Sequence, residues 1–118
     1  MNFKKNIPIY LQIMDKLKQD ISLGILKPGE KLMSTRDFSI KLKVNPNTIS
    51  RVYKELEGEN IVFTKRGMGT FVVEDENILQ NIKNKMANDI ITKFIEDLNE
   101  LNISIDEAII MLKDTEED

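Results

Sequence analysis

Two helix-start signals stand eleven residues apart, at Ser34 and at Asn45-Pro46, and this spacing limits the possible folds more than any other feature. A hydroxyl or amide side chain just before a helix accepts a hydrogen bond from an otherwise unpaired N–H of the first turn. Asp37 stands where a capping-box acid belongs, and Pro46 has the fixed φ suited to a first helical position. Met33 with Phe38, and Val44 with Ile49, occupy the paired apolar positions that fix a chain's entry into a helix. Because the second helix must start at residue 46, the first must end near Lys43 and is short. The second carries a buried stripe of Ile49, Val52, Tyr53 and Leu56. Asn60 tolerates the left-handed geometry that ends a helix. Two helices joined by so few residues form a helix-turn-helix.

The flanking segments complete a domain. A first helix is expected from about residue 8 to residue 23, with Pro8 in its first turn and Gly24 as its stop. Ile9, Ile13, Leu17 and Ile21 recur at i+4, beside Tyr10 and Met14. Leu26-Lys27-Pro28-Gly29-Glu30 reads as a turn. Residues 61–65 and 69–73 read as two strands, with Gly67 and Gly69 in the turn between them. The fold class is therefore mainly α with a small β-hairpin. Residues 1–73 are expected to form a winged helix-turn-helix, and residues 74–118 a short carboxy-terminal helical dimerisation unit. In that unit Ile78, Ile82, Met86, Ile90, Phe94 and Leu98 keep strict i+4 spacing, with Leu79, Ile91 and Ile95 alongside. Such a row drifts by about 40° per step. One flat partner cannot cover it, so its early part is expected to pack on its own domain and its later part on another chain. Asn99 and Asn102 mark a break. Ser104 and Glu107 form a capping box for a last helix bearing Ala108, Ile109, Met111 and Leu112. Residues 114–118 are polar and expected to fray.

Composition removes whole classes of chemistry. The chain has no cysteine and no histidine, which excludes disulfides, thiolate and imidazole catalysis and nearly all transition-metal sites. No nucleophile–base pair is evident, so no enzyme and no cofactor is expected. No apolar run reaches the roughly 18–20 residues of a membrane span, and the start has no apolar signal segment. A cytoplasmic location is expected, which the lack of cysteine fits. The net charge of −3 conceals a segregation. Residues 1–73 hold 13 Lys/Arg against 7 Asp/Glu, and residues 74–118 hold 4 against 13. A basic amino-terminal part suits a polyanion.

Four segments together resemble the GntR family of bacterial transcription regulators over about residues 7–73. Pro8-Ile9-Tyr10-Leu11-Gln12-Ile13 resembles its opening helix, and Gly24-Ile25-Leu26-Lys27-Pro28-Gly29-Glu30-Lys31-Leu32 its first connection. Ser34-Thr35-Arg36-Asp37 resembles the start of its second helix, and Gly67-Met68-Gly69-Thr70-Phe71-Val72 its wing. Val44-Asn45-Pro46-Asn47-Thr48 with Arg51-Val52-Tyr53, and the short appendage, resemble the YtrA subfamily. That resemblance implies a homodimeric repressor on a two-fold related operator, in many members that of a transporter operon. Three positions depart from the common pattern. Met33 replaces a frequent proline, and Pro46 and Ser50 replace arginines that contact DNA in many members. The resemblance therefore implies a different operator.

The expected partners are double-stranded DNA and a second copy of the chain, with no membrane and an unknown small-molecule effector. Candidate DNA-binding residues are Arg36, Asn47, Thr48, Ser50, Arg51, Lys65, Arg66, Gly67 and Gly69. Arg36 matches a DNA-contacting arginine of the family, and a guanidinium fork suits phosphate and guanine. Asn47 and Thr48 open the helix whose start faces bases, although Thr48 also reads as plain capping. Ser50 faces a base or a phosphate. Arg51 either reaches a phosphate or pairs with Glu55 at i+4. Lys65 and Arg66 flank the glycine-rich tip, where Gly67 and Gly69 supply positive φ. Candidate dimerisation residues are Met86, Ile90, Phe94, Leu98, Ile109 and Leu112. No large ligand pocket is expected, because the appendage is short and lacks a metal-ligand cluster. The rival reading is a protein-interaction module on the same scaffold without DNA binding.

Overall fold

The structure, a computed structural model, describes residues 1–116. The elements run α1 (Ile9–Ser22), α2 (Thr35–Leu42), α3 (Pro46–Gly58), β1 (Val62–Lys65), β2 (Gly69–Val72), α4 (Glu76–Glu100) and α5 (Ile105–Glu116). The chain divides into two compact units, Met1–Lys83 and Asn84–Asp118. The first two turns of α4 thus belong with the amino-terminal unit, where Ile82 is buried.

The side chains at the helix starts accept first-turn N–H groups, although neither Asp37 nor Glu107 returns the second bond of a capping box among the described residues. Ser34 Oγ accepts from the Asp37 N–H at 3.1 Å, and Asn45 Oδ1 accepts from the Asn47 N–H at 2.8 Å. Between them α2 ends on Lys43, whose φ of 58° is left-handed, and the Val44 N–H returns to the Ser39 carbonyl. Asn60 ends α3 in the same way, with φ of 62°. Pro8 differs from expectation. It lies just outside α1 as its N-cap, with an extended ψ of 136°, while its carbonyl accepts the Gln12 N–H. The preceding segment is held by the Gln12 side chain, which accepts from the Lys4 N–H and donates to the Lys4 and Ile7 carbonyls.

Helix α3 packs against α1, α2 and β1. Ile13 of α1, Ile49, Val52 and Leu56 of α3, and Val62 and Val72 of the strands are almost fully excluded from water. Lys18 of α1 pairs with Glu59 at 3.0 Å. Strands β1 and β2 are antiparallel, with Phe63 opposite Phe71 and Lys65 opposite Gly69. A third segment, residues 29–32 at the end of the turn expected at residues 26–30, joins this hairpin. Lys31 bridges to Phe71, the Leu32 N–H donates to the Thr70 carbonyl at 2.8 Å, and the Val72 N–H donates to the Glu30 carbonyl at 2.9 Å. The wing is therefore laced to the connection between α1 and α2.

Tyr53 links two helices. Its ring stacks on Phe38 of α2, and its hydroxyl donates to the Met33 carbonyl at 2.7 Å. Burial pushes its pKa up to about 12, above the value of about 10 in an unfolded chain. The protonated phenol is the form favoured by folding. Its contribution is therefore complete below about pH 10 and is lost as pH rises towards 12. Tyr53→Phe is expected to cost about 1 kcal/mol at neutral pH and to reduce the loss of stability between about pH 10 and 12. Urea unfolding of both proteins across that range is the check. Parallel loss of stability in the two would show that Tyr53 does not titrate with unfolding.

In the second unit, Asn102 takes a φ of 57° after α4, and the Ile103 N–H returns to the Leu98 carbonyl. Ser104 Oγ caps α5 by accepting the Glu107 N–H at 3.1 Å. Helix α5 remains regular through Glu116, so residues 114–116 are helical where fraying was expected. Residues 117 and 118 lie outside the described residues. Ala108 is buried, but the apolar stripe leaves Ile90, Phe94, Ile109 and Leu112 more than two-fifths exposed. With Leu98 and Ile105 they line an apolar groove of about 420 Å³.

Candidate nucleic-acid interface

Helix α3 divides its residues cleanly. Ile49, Val52, Tyr53 and Leu56 face the core, and Asn47, Ser50, Arg51 and Lys54 are exposed. Asn47 uses its backbone N–H on the Asn45 cap, while its side-chain amide has no hydrogen-bond partner among the described residues. It is therefore free to bond elsewhere. Thr48 is half-buried and spends its backbone N–H on the Asn45 carbonyl. Lys54 is not among the sequence candidates but is exposed on the same helix. It follows Asn47 by seven residues and Ser50 by four, so these three share one helix face. That spacing alone could have found it.

Arg51 is engaged within the protein. Its guanidinium carbon lies 3.6 Å above the Tyr10 ring, and Nε is 3.7 Å from Glu55 Oε1. The pairing with Glu55, one of its two open readings, is thus formed. The stack on Tyr10 joins residues 41 positions apart and has no local sequence signal. Arg36 lies exposed in the first turn of α2, where its carbonyl accepts from Ser39 Oγ at 2.7 Å.

The wing tip is built for a tight turn between cations. Gly67 has φ of 76° with open space around its Cα, so only backbone geometry requires glycine there. Gly69 has φ of 122°, and a Cβ at this position would stand 2.8 Å from Lys31 Cε. Lys31, absent from the sequence candidates, thus reaches the wing from the third segment of the sheet. Phe63 and Phe71 stack across the ladder with ring centres 5.8 Å apart, and the Lys65 ammonium lies 5.6 and 5.1 Å from them. Arg66 is exposed at the tip. Arg36 on α2, Lys31 on the connection before it, and Lys65 and Arg66 on the wing are all exposed cations.

The proposed dimerisation residues lie elsewhere. Ile90, Phe94, Leu98, Ile109 and Leu112 line the apolar groove of the second unit, and Met86 does not. Among the described residues, no group of His, Cys, Asp and Glu could hold a metal ion. No helix there is long and apolar enough to cross a membrane.

Residues 9–72 match the family described as "Bacterial regulatory proteins, gntR family". The chain is 40% identical over 107 residues to the uncharacterized HTH-type transcriptional regulator YhcF of Bacillus subtilis, covering 91% of this chain and 88% of that protein. It is 40% identical over 100 residues to the HTH-type transcriptional repressor YtrA of the same organism, covering 85% and 72%. Among solved structures, it resembles a GntR family transcriptional regulator from Listeria monocytogenes with a TM-score of 0.88 and 36% identity, over 95% of this chain and 98% of that one. The family match runs from the start of α1 to the end of β2, and the relatives align into the helical appendage as well. The chain therefore belongs to the GntR family as a YtrA-like, DNA-binding transcriptional regulator and is not an enzyme.

Proposed function

We propose that the protein is a cytoplasmic homodimeric repressor that reads a two-fold related operator and blocks transcription by occupying it. The observation that carries the dimer is the groove between α4 and α5, whose lining side chains are all apolar. Contiguous exposed apolar surface on a small soluble chain is costly unless a partner covers it. The same patch on a second copy is a self-complementary partner under two-fold symmetry. Each copy then places the start of α3 in the major groove, with Asn47, Ser50 and Lys54 towards the DNA and Arg36, Lys65 and Arg66 on the flanking backbone. The relative YtrA is a transcriptional repressor, and a transporter operon is the target that the subfamily resemblance suggests. The interaction-module reading has no support from the family match or the relatives.

Footprinting and in vitro transcription on the DNA upstream of its own gene and neighbouring genes test this reading. Protection is expected over two inverted half-sites centred about one helical turn apart, or a multiple of it. Transcript yield should fall over the same protein concentrations. A single protected half-site, or transcription that rises with occupancy, would refute it.

A further inference from the structure

A cavity of about 530 Å³ opens within the Met1–Lys83 unit, inside the range of roughly 300–1,000 Å³ typical of small-molecule sites. The expectation of no large ligand pocket rested on the short appendage, and this cavity lies in the other unit. Its apolar wall comes from Leu17 of α1, Leu32 of the connection, and Phe38 and Leu42 of α2. Tyr53 of α3 completes it. Leu17, Leu32 and Tyr53 are buried, and Phe38 and Leu42 are half-buried.

The charges on the lining do not cancel. Lys16 pairs with Asp20 at 3.0 Å, and Glu30, whose Oε1 accepts the Lys27 N–H at 3.1 Å, keeps its charge, so three lysines stand against two carboxylates. Lys31 and Lys41 also line the cavity, and neither has an acidic partner among the described residues. A neutral apolar solute would leave these ammonium groups unused. An inorganic anion would lose hydration against an apolar wall without compensation. A molecule with an apolar body and one acid group satisfies both parts of the lining.

We propose that this cavity binds a small amphipathic organic anion. Its aromatic or aliphatic body lies against Leu17, Leu32, Phe38 and Leu42, and its carboxylate, sulfonate or phosphate meets Lys41 and Lys31. Part of the wall belongs to α2 and α3, the helices proposed above to face DNA. Phe38 and Leu42 are on α2 and Tyr53 is on α3. Leu32 is hydrogen-bonded to the wing strand through Thr70.

The test uses the full chain and 8-anilinonaphthalene-1-sulfonate as the probe, with its uncharged relative N-phenyl-1-naphthylamine as the control. Binding is followed by fluorescence and by leucine methyl NMR. Saturable shifts are expected at Leu17, Leu32 and Leu42, with the neutral compound binding about tenfold or more weakly. Lys31→Gln with Lys41→Gln, both exposed and expected to fold, should weaken the sulfonate by a similar factor. Leu42→Trp should fill the cavity and abolish the shifts. Shifts confined to Leu98 and Leu112 of the second unit, or equal binding of the charged and neutral probes, would overturn the proposal. It also falls if the glutamine variants lower only the salt dependence of DNA binding and leave probe affinity unchanged. The two lysines would then be backbone contacts.

Discussion

Phe94→Glu is expected to turn the protein into a monomer and to weaken its hold on a two-fold operator by about 10²- to 10⁴-fold. Phe94 is 42% exposed and lines a groove made with Ile90, Leu98, Ile105, Ile109 and Leu112. Covering that groove with a second copy would bury the new carboxylate among these side chains, at a cost of several kcal/mol unless it protonates. The substitution lies outside the Met1–Lys83 unit, so each α3 keeps its fold and its half-site. What is lost is the second half-site held at high effective concentration. Sedimentation velocity at micromolar protein and operator titrations are the measurements. A wild-type chain that sediments as a monomer, or a variant with undiminished operator affinity, would remove the basis for the dimer.

Asn47→Ala and Lys65→Ala are expected to fail in different ways. Asn47 presents a free amide at the start of α3, where it can pair with an adenine edge in the major groove. Its loss should cost on the order of 1–3 kcal/mol on the operator and much less on random DNA. The Asn45 cap uses only the Asn47 backbone N–H, so helix formation should survive. Lys65 offers a point charge beside the wing turn. Its removal should weaken both DNAs alike and lower the salt slope by about one. Titrations on both DNAs at several salt concentrations distinguish the two. Equal losses on operator and random DNA for Asn47→Ala would mean that it only positions the helix.

The features legible in the sequence are those whose physical cause is local. Ser34, Asn45 and Ser104 each bond to an N–H two or three residues on, so side-chain type and spacing suffice to find them. Asn60 and Asn102 are likewise readable as left-handed helix ends. The stripe of α3 was readable because one helix period governs it. The long row on α4 was less informative, since its drift around the axis leaves Ile82 as the buried member. Pro8 was placed one position too far into α1, because a proline at the cap and one at the first helical position look alike in sequence. The stack of Arg51 on Tyr10 and the reach of Lys31 to Gly69 depend on tertiary approach. Nothing within a few residues of either signals it. Lys54 is legible through its seven-residue spacing from Asn47, which puts both on one helix face.

The lacing of residues 29–32 to β2 also bears on the order in which the sheet can be assembled. Lys31 and Phe71 are bridged across forty positions of chain, whereas Phe63 and Phe71 are opposed across eight. Joining distant segments requires the closure of a longer loop, and contacts of large sequence separation slow folding. The hairpin can close on its own, while the outer edge must wait for it. On a ribosome, where amino-terminal segments emerge first, the three helices can gather while residues 29–32 still have no strand to join. A nascent chain that ends before Thr70 has no carbonyl to offer the Leu32 N–H, and the backbone edge of residues 29–32 stays open to water or a chaperone until β2 arrives.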